Sequence, residues 1–179
     1  MNERAARAGG AVAMAAAVAL ASVGGAVLLL DSSDPAPSSS NSESGSGVLE
    51  RTADATPADE PFPAMTETEV SVGATRLRVV VADDGSERTR GLRERSDLGD
   101  YDGMLFVFDG PTTTSFTMST VPVALDIGFF DDAGRVVDRL RMEPCAGSEA
   151  ECPVYRPDAS FRFALETLAG DLPRGRLAG

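Results

Sequence analysis

Asp126 stands alone in the most apolar run of the sequence, Val123 to Phe130, and its setting is the first suggestion of chemistry. If the run is a strand, Val123, Leu125, Ile127 and Phe129 line one face, and Ala124, Asp126, Gly128 and Phe130 line the other. Asp126 then shares its face with two of the smallest side chains, which leave a hollow above the carboxylate. A carboxylate at the floor of an apolar hollow has its charged form disfavoured unless cations or hydrogen-bond donors compensate. Arg90 and Arg93, on a short predicted helix, are the expected partners. Two roles follow. Asp126 either anchors the helix or a packed loop, or binds a ligand or acts as acid and base with the arginines clamping an anion. Met118 and Phe116 could add a soft apolar lip, although residues at alternating spacing are more often core.

Cys145 and Cys152 frame a loop that also holds Gly147. Three readings stay open: a structural disulfide, two free thiols, or a redox or metal pair. The spacing is not C-x-x-C and the chain has no histidine to complete a zinc site, which weighs against the third. In an oxidising compartment, closing the loop as a disulfide would stabilise the fold by about 2.5 kcal/mol. Asp100-Tyr101-Asp102-Gly103 and Asp131-Asp132-Ala133-Gly134 touch the calcium-loop pattern. Both lack its alternating acids and distal Glu, so they read as ordinary turns. Without histidine a Ser-His-Asp hydrolase is excluded, and no Gly-rich phosphate loop exists. No cofactor and no metal is expected.

The formal net charge of -12 repels phosphate backbones, so a nucleic-acid partner is not expected. All 16 basic residues are arginine and Asp outnumbers Glu. A lysine-free acidic surface suits strong brine, where screening makes self-repulsion cheap, and points to a halophilic, archaeal source. A GC-rich genome that prefers Arg to Lys accounts for the arginine but not for the acid excess.

The elements that must position these residues come after two accessory segments. Arg4 and Arg7 precede an uncharged run from Gly9 to Leu30, long enough as a helix, at roughly 33 Å, to cross a bilayer. Basic residues flank it only on the amino-terminal side, which predicts a signal anchor over residues 1–30 with the remainder outside the cell membrane. Ala19-Leu20-Ala21 has the form of a signal-peptidase site, so secretion after cleavage is the alternative. Residues 31–65, rich in Ser, Pro, Asp and Glu, read as a disordered linker.

From residue 66 to 179 the pattern is that of strands. Val70 and Val72, then Leu77, Val79 and Val81, alternate with polar residues around Gly73-Ala74 and predict a hairpin. Ser86 is the expected cap of a short helix reaching about Arg95. Met104 to Phe108 is apolar on both faces and should lie centrally. Val136, Leu140 and Met142 should point one way from the strand after the turn at Asp131 to Gly134. Phe161 to Thr167 fits a strand or a helix, and the strand is preferred. Many short strands imply a mainly β domain: a compact antiparallel sandwich, jelly-roll-like, with one short helix.

Several ordered motifs support a more specific identification. Arg90-Gly91-Leu92, Gly103-Met104-Leu105-Phe106-Val107-Phe108, Phe116 to Ile127, Gly134 to Val137, Pro144-Cys145, Cys152-Pro153-Val154-Tyr155, and Leu165-Glu166 with Ala169-Gly170 occur at compatible spacing. Together they make residues 66–172 resemble domain-of-unknown-function family 192, widespread in bacteria and archaea. The resemblance implies a compact, mainly β, jelly-roll-like domain, usually exported or membrane-tethered. It implies no activity, cofactor or catalytic residue. The family pattern usually has Trp where Thr117 stands and Asn where Ser119 stands. The expected function is therefore a tethered extracytoplasmic module that binds a small ligand or an envelope protein. The alternative is a hydrolase or lyase built on Asp126 with Arg90 or Arg93.

Overall fold

The computed structural model describes residues 43–179, in which the protein is mainly β. The elements are α1 (Glu43–Ala53), β1 (Thr56–Pro57), β2 (Thr66–Val72), β3 (Thr75–Ala82), α2 (Gly85–Arg90), β4 (Gly103–Thr112), β5 (Phe116–Thr117), β6 (Leu125–Phe130), β7 (Val136–Met142), β8 (Val154–Tyr155), β9 (Phe161–Leu168) and β10 (Leu177–Ala178). Eight strands form one sheet in the order β1-β2-β3-β4-β9-β6-β7, with β10 also on β2; β5 and β8 form a separate two-stranded ribbon.

The fold is sandwich-like, but its main sheet is mixed and two helices accompany it. β3 and β4 run parallel, with Val79 to Ala82 opposite Gly103 to Phe106. A parallel pair needs a long crossover rather than a tight turn, and the residues between Ala82 and Gly103, including α2, supply it. The expected hairpin is β2–β3, turned at Gly73, whose φ of 61° suits glycine.

Each face of the sheet carries its own apolar cluster. Val80, Ala82, Met104, Phe106, Ile127, Phe129 and Ala164 point to one side. Val79, Val81, Leu105, Phe130, Phe163 and Leu165 point to the other, where Val48 of α1 and Leu177 of β10 cover them. Central strands are therefore apolar on both faces, as foreseen for Met104 to Phe108. β9 is a strand and lies between β4 and β6.

Three expectations are corrected. The linker does not extend to residue 65: α1 is present, and Val48 and Phe62 are fully or almost fully buried. The sequence of α1 is rich in Ser and Gly, poor helix formers. Packing of Val48 and Leu49 against the sheet holds it, and burying one such side chain is worth about 1.5–3 kcal/mol. The helix after β3 is capped by Asp84 rather than Ser86 and ends at Arg90, short of Arg95. Val136 does not join Leu140 and Met142 on the core side but is exposed, because a bulge at Phe129/Phe130 shifts the start of β7. The expected signal anchor and residues 31–42 of the expected linker lie outside the described residues. Among the described residues no helix is long and apolar enough to cross a membrane.

Candidate functional site

α2 is short and held at both ends. Asp84 Oδ1 accepts from Ser86 N–H at 2.7 Å and Glu87 N–H at 2.8 Å, while Glu87 Oε2 accepts from Asp84 N–H at 3.3 Å, a reciprocal capping box. Gly91 ends the helix with φ 48°, and a Cβ there would stand 3.6 Å from the Phe106 ring, so the helix terminus lies close on the sheet. Arg88 fastens the middle. Its Nη1 donates to Val107 O at 2.8 Å and its guanidinium lies 5.1 Å from the centre of the Phe108 ring.

Between α2, the β5–β8 ribbon and β4 of the sheet the surface opens into a cleft of about 470 Å³. Phe106, Phe108 and Phe116 supply its apolar walls; Arg90 and Arg93 line it from α2 and the turn that follows. Arg93 is engaged: its Nη1 donates to Ser119 O at 3.0 Å, its Nε to Thr89 O at 3.1 Å, and it pairs with Glu149. Arg90 is exposed, and its guanidinium makes no hydrogen bond or ion pair with any other described residue. It presents an uncommitted cation at the mouth.

Glu166 also lines the cleft, from the centre of the sheet. It sits between Met104 on β4 and Ile127 on β6, on the same face as Ala164 and Phe106. Gly103 permits the tight approach of β4 there, since a Cβ at that position would fall 2.5 Å from Glu166 O. Glu166 is only 6 % exposed, and burial raises its carboxyl from the ordinary range to about 8. No described residue gives it a hydrogen bond or a counter-charge, so it is a neutral acid at pH 7 with an O–H to donate. Sequence reasoning missed this residue. Its signal was available: a charged side chain in a strand, FRFALETL, whose other members are largely apolar.

Asp126 lies elsewhere. Arg141, opposite it across the β6–β7 pair, donates to both its oxygens, and Gly170 N–H donates to Oδ2 at 2.7 Å. Burial acts to raise its pKa, but Arg141 and the Gly170 N–H outweigh burial and hold the carboxyl below its usual range. The expected pairing with Arg90 or Arg93 is thus replaced by Arg141, and the structure does not bring Asp126 into the cleft. Met118 is 1 % exposed and belongs to the core rather than to a lip. Phe116, its companion, does line the cleft, as does Thr117.

Asp126→Asn removes a charge-assisted pair that ties β6, β7 and the turn after β9 together. We expect a loss of about 1 kcal/mol at neutral pH, read as a lower thermal midpoint. Because the folded carboxyl titrates below its unfolded value, its contribution is present above the unfolded value and disappears as pH falls through the folded one. The two melting temperatures should therefore converge in acid; a gap that persists there would contradict this role.

Cys145 and Cys152 are joined, with an S–S distance of 2.02 Å. The loop they close is fastened to the cleft's rim: Ser119 Oγ donates to Gly147 O at 2.8 Å and Thr120 N–H to Cys145 O at 2.9 Å, besides the Arg93–Glu149 pair. Among the described residues no three His, Cys, Asp or Glu side chains gather in an arrangement that could hold a metal ion.

The comparisons agree with this architecture. The model of DUF192, described as an uncharacterized ACR, matches residues 67–177. A crystal structure of a protein of unknown function from Novosphingobium aromaticivorans DSM 12444 superposes with a TM-score of 0.56 at 23% identity, covering 72% of this chain and 96% of the other. A second, from Sinorhizobium meliloti 1021, for which a role as a transcription regulator has been suggested, gives 0.52 at 24% identity, covering 62% and 90%. At these identities the likeness is one of fold. No curated protein matches the chain.

Proposed function

The chain belongs to the DUF192 family, and from that premise we propose that its domain is a non-catalytic module that holds a small ligand in the cleft between α2 and the β5–β8 ribbon. The observation that carries this reading is the cleft itself: about 470 Å³, walled by aromatic rings, with an uncommitted guanidinium at its mouth. Small-molecule sites are concave and orient their ligands with placed polar groups; here the exposed lining is more polar than apolar, with Arg90, Thr114, Ser115 and Thr117 beside the phenylalanine rings. The enzymatic alternative, a hydrolase or lyase with Asp126 as acid and base, has the geometry against it. Asp126 is outside the cleft, ionised, and has both oxygens engaged.

The same proposal places the module outside the cell, tethered by the run from Gly9 to Leu30 or secreted after its cleavage. Support comes from Arg4 and Arg7 ahead of that run and from the Cys145–Cys152 disulfide, a bond typical of oxidising compartments. A halophilic, archaeal source remains part of the reading through the lysine-free, acidic composition. The negative charge disfavours nucleic acid as a partner, whatever is suggested for the Sinorhizobium protein.

The test is an amide-resolved NMR titration of the isotope-labelled full chain with fractionated metabolite and envelope extracts in high salt. We expect shifts confined to Gly85 to Gly91 and Phe116 to Thr117, with the bound compound recovered unchanged. Shifts elsewhere only, or conversion of the compound, would overturn the proposal.

A further inference from the structure

The cleft holds two polar features of opposite chemistry, and their separation restricts what can occupy it. At the mouth the cations are Arg88, Arg90 and Arg93, all lining the cleft. Arg88 is spent on the Asp83 and Val107 carbonyls and on the Phe108 ring. Arg93 is spent on the Thr89 and Ser119 carbonyls and on Glu149. Of the three only Arg90 has its whole guanidinium to offer; Arg88 engages both carbonyls through Nη1 alone. At the floor Glu166 is more than nine-tenths buried and lacks a partner among the described residues. The two features differ in depth, Arg90 being exposed and Glu166 buried, which sets mouth apart from floor.

Resting on the reading of the cleft as a binding site, we propose that its ligand is a small organic acid bound end-on. Its anionic group sits on Arg90, its apolar body lies against Phe106, Phe108 and Phe116, and a carbonyl oxygen at its far end accepts from the Glu166 O–H. A cationic ligand fails at the mouth, where it meets three arginines. A purely apolar ligand leaves the Glu166 O–H without an acceptor, and an unsatisfied buried donor is costly. A metal ion fails because Glu166 is one neutral carboxyl with no second free acid beside it.

The Glu166 O–H is a donor only while it holds its proton. The groups that face it are few. β4 and β6 present Met104, Phe106 and Ile127, and β9 itself presents Ala164 and Leu168. Around the cleft the charged groups are Arg88, Arg90, Arg93 and Glu149, the last paired with Arg93. Guanidinium groups keep their charge throughout the accessible range. Binding should therefore weaken as pH rises through about 8, because an ionised Glu166 repels the acceptor oxygen that the acid form bonds.

Calorimetry on the full chain with three probes tests this: 3-(4-acetylphenyl)propionate, whose ketone oxygen can only accept, 3-phenylpropionate, which lacks that oxygen, and (4-acetylphenethyl)trimethylammonium, which exchanges the carboxylate for a cation. We expect the keto acid to bind about tenfold more tightly than 3-phenylpropionate, and the cation not to bind. Arg90→Ala, a change at an exposed side chain, should weaken the keto acid by about tenfold. Glu166→Gln keeps a neutral donor and should abolish the loss of affinity above pH 8. Preference for the cation, affinity that rises with pH, or an unchanged pH profile in Glu166→Gln would overturn the inference. If none of these probes binds while extract fractions still shift the α2 amides, the inference falls and the cleft reading stands. If nothing shifts those amides, both fall.

Discussion

At pH 8 the Glu166→Gln variant should melt well above the wild type, and near pH 4 the two should melt together. The sign follows from linkage. Glu166 ionises near the ordinary carboxylate value in the unfolded chain but at about 8 in the folded one, so between those limits the folded state binds more protons. Stability is complete below the unfolded value and declines as pH rises towards 8, where the wild type must bury a charge. Glutamine has no proton to lose and keeps its stability. The gap at pH 8 is then about 4–4.5 kcal/mol, or on the order of 15 °C in a domain of this size. Thermal melts of both proteins at half-unit pH steps measure it. Parallel curves from pH 4 to 8 would show that the carboxyl reaches water or an unrecognised cation, and its role as a neutral donor would fall with them.

Loss of the disulfide has the next largest effect. Replacing Cys145 and Cys152 together by Ser frees a loop whose closure is worth about 2.5 kcal/mol, on the order of 10 °C. The same change loosens the rim of the cleft, because Glu149 and Gly147, which hold Arg93 and Ser119, lie inside that loop. We therefore expect faster hydrogen exchange at Gly147 to Cys152 and at the turn after α2, together with the lower midpoint. An unchanged midpoint in reductant would mean that the loop's own hydrogen bonds suffice.

Particular residues explain which features could be read from the sequence. The β2–β3 hairpin was legible because its valines and leucine alternate around a glycine turn. The central place of β4 was legible because Met104 to Phe108 leaves no polar face. The cysteine bridge was one of three readings that spacing allowed, and exported context favoured it. Asp126 was noticed, but its partner was not. A one-residue bulge at Phe129/Phe130 sets Asp126 opposite Arg141, whereas an unbulged count places it opposite Leu140. Glu166 was passed over for a different reason. A strand with Arg162 and Glu166 on one side reads as half-exposed, and only the insertion of β9 between β4 and β6 seals both sides. α1 was missed because its composition is that of a coil and its stability is tertiary.

That insertion also governs the order of events during synthesis. β9 is the last of the long strands to leave the ribosome, yet among the described residues it is the one strand that joins the β1–β4 half of the sheet to the β6–β7 hairpin. A nascent chain that stops before Leu168 holds two fragments, each with an open edge, linked through Phe116 between Phe106 and Phe129 but lacking the strand that pairs them. Cooperative folding must wait until translation is nearly finished.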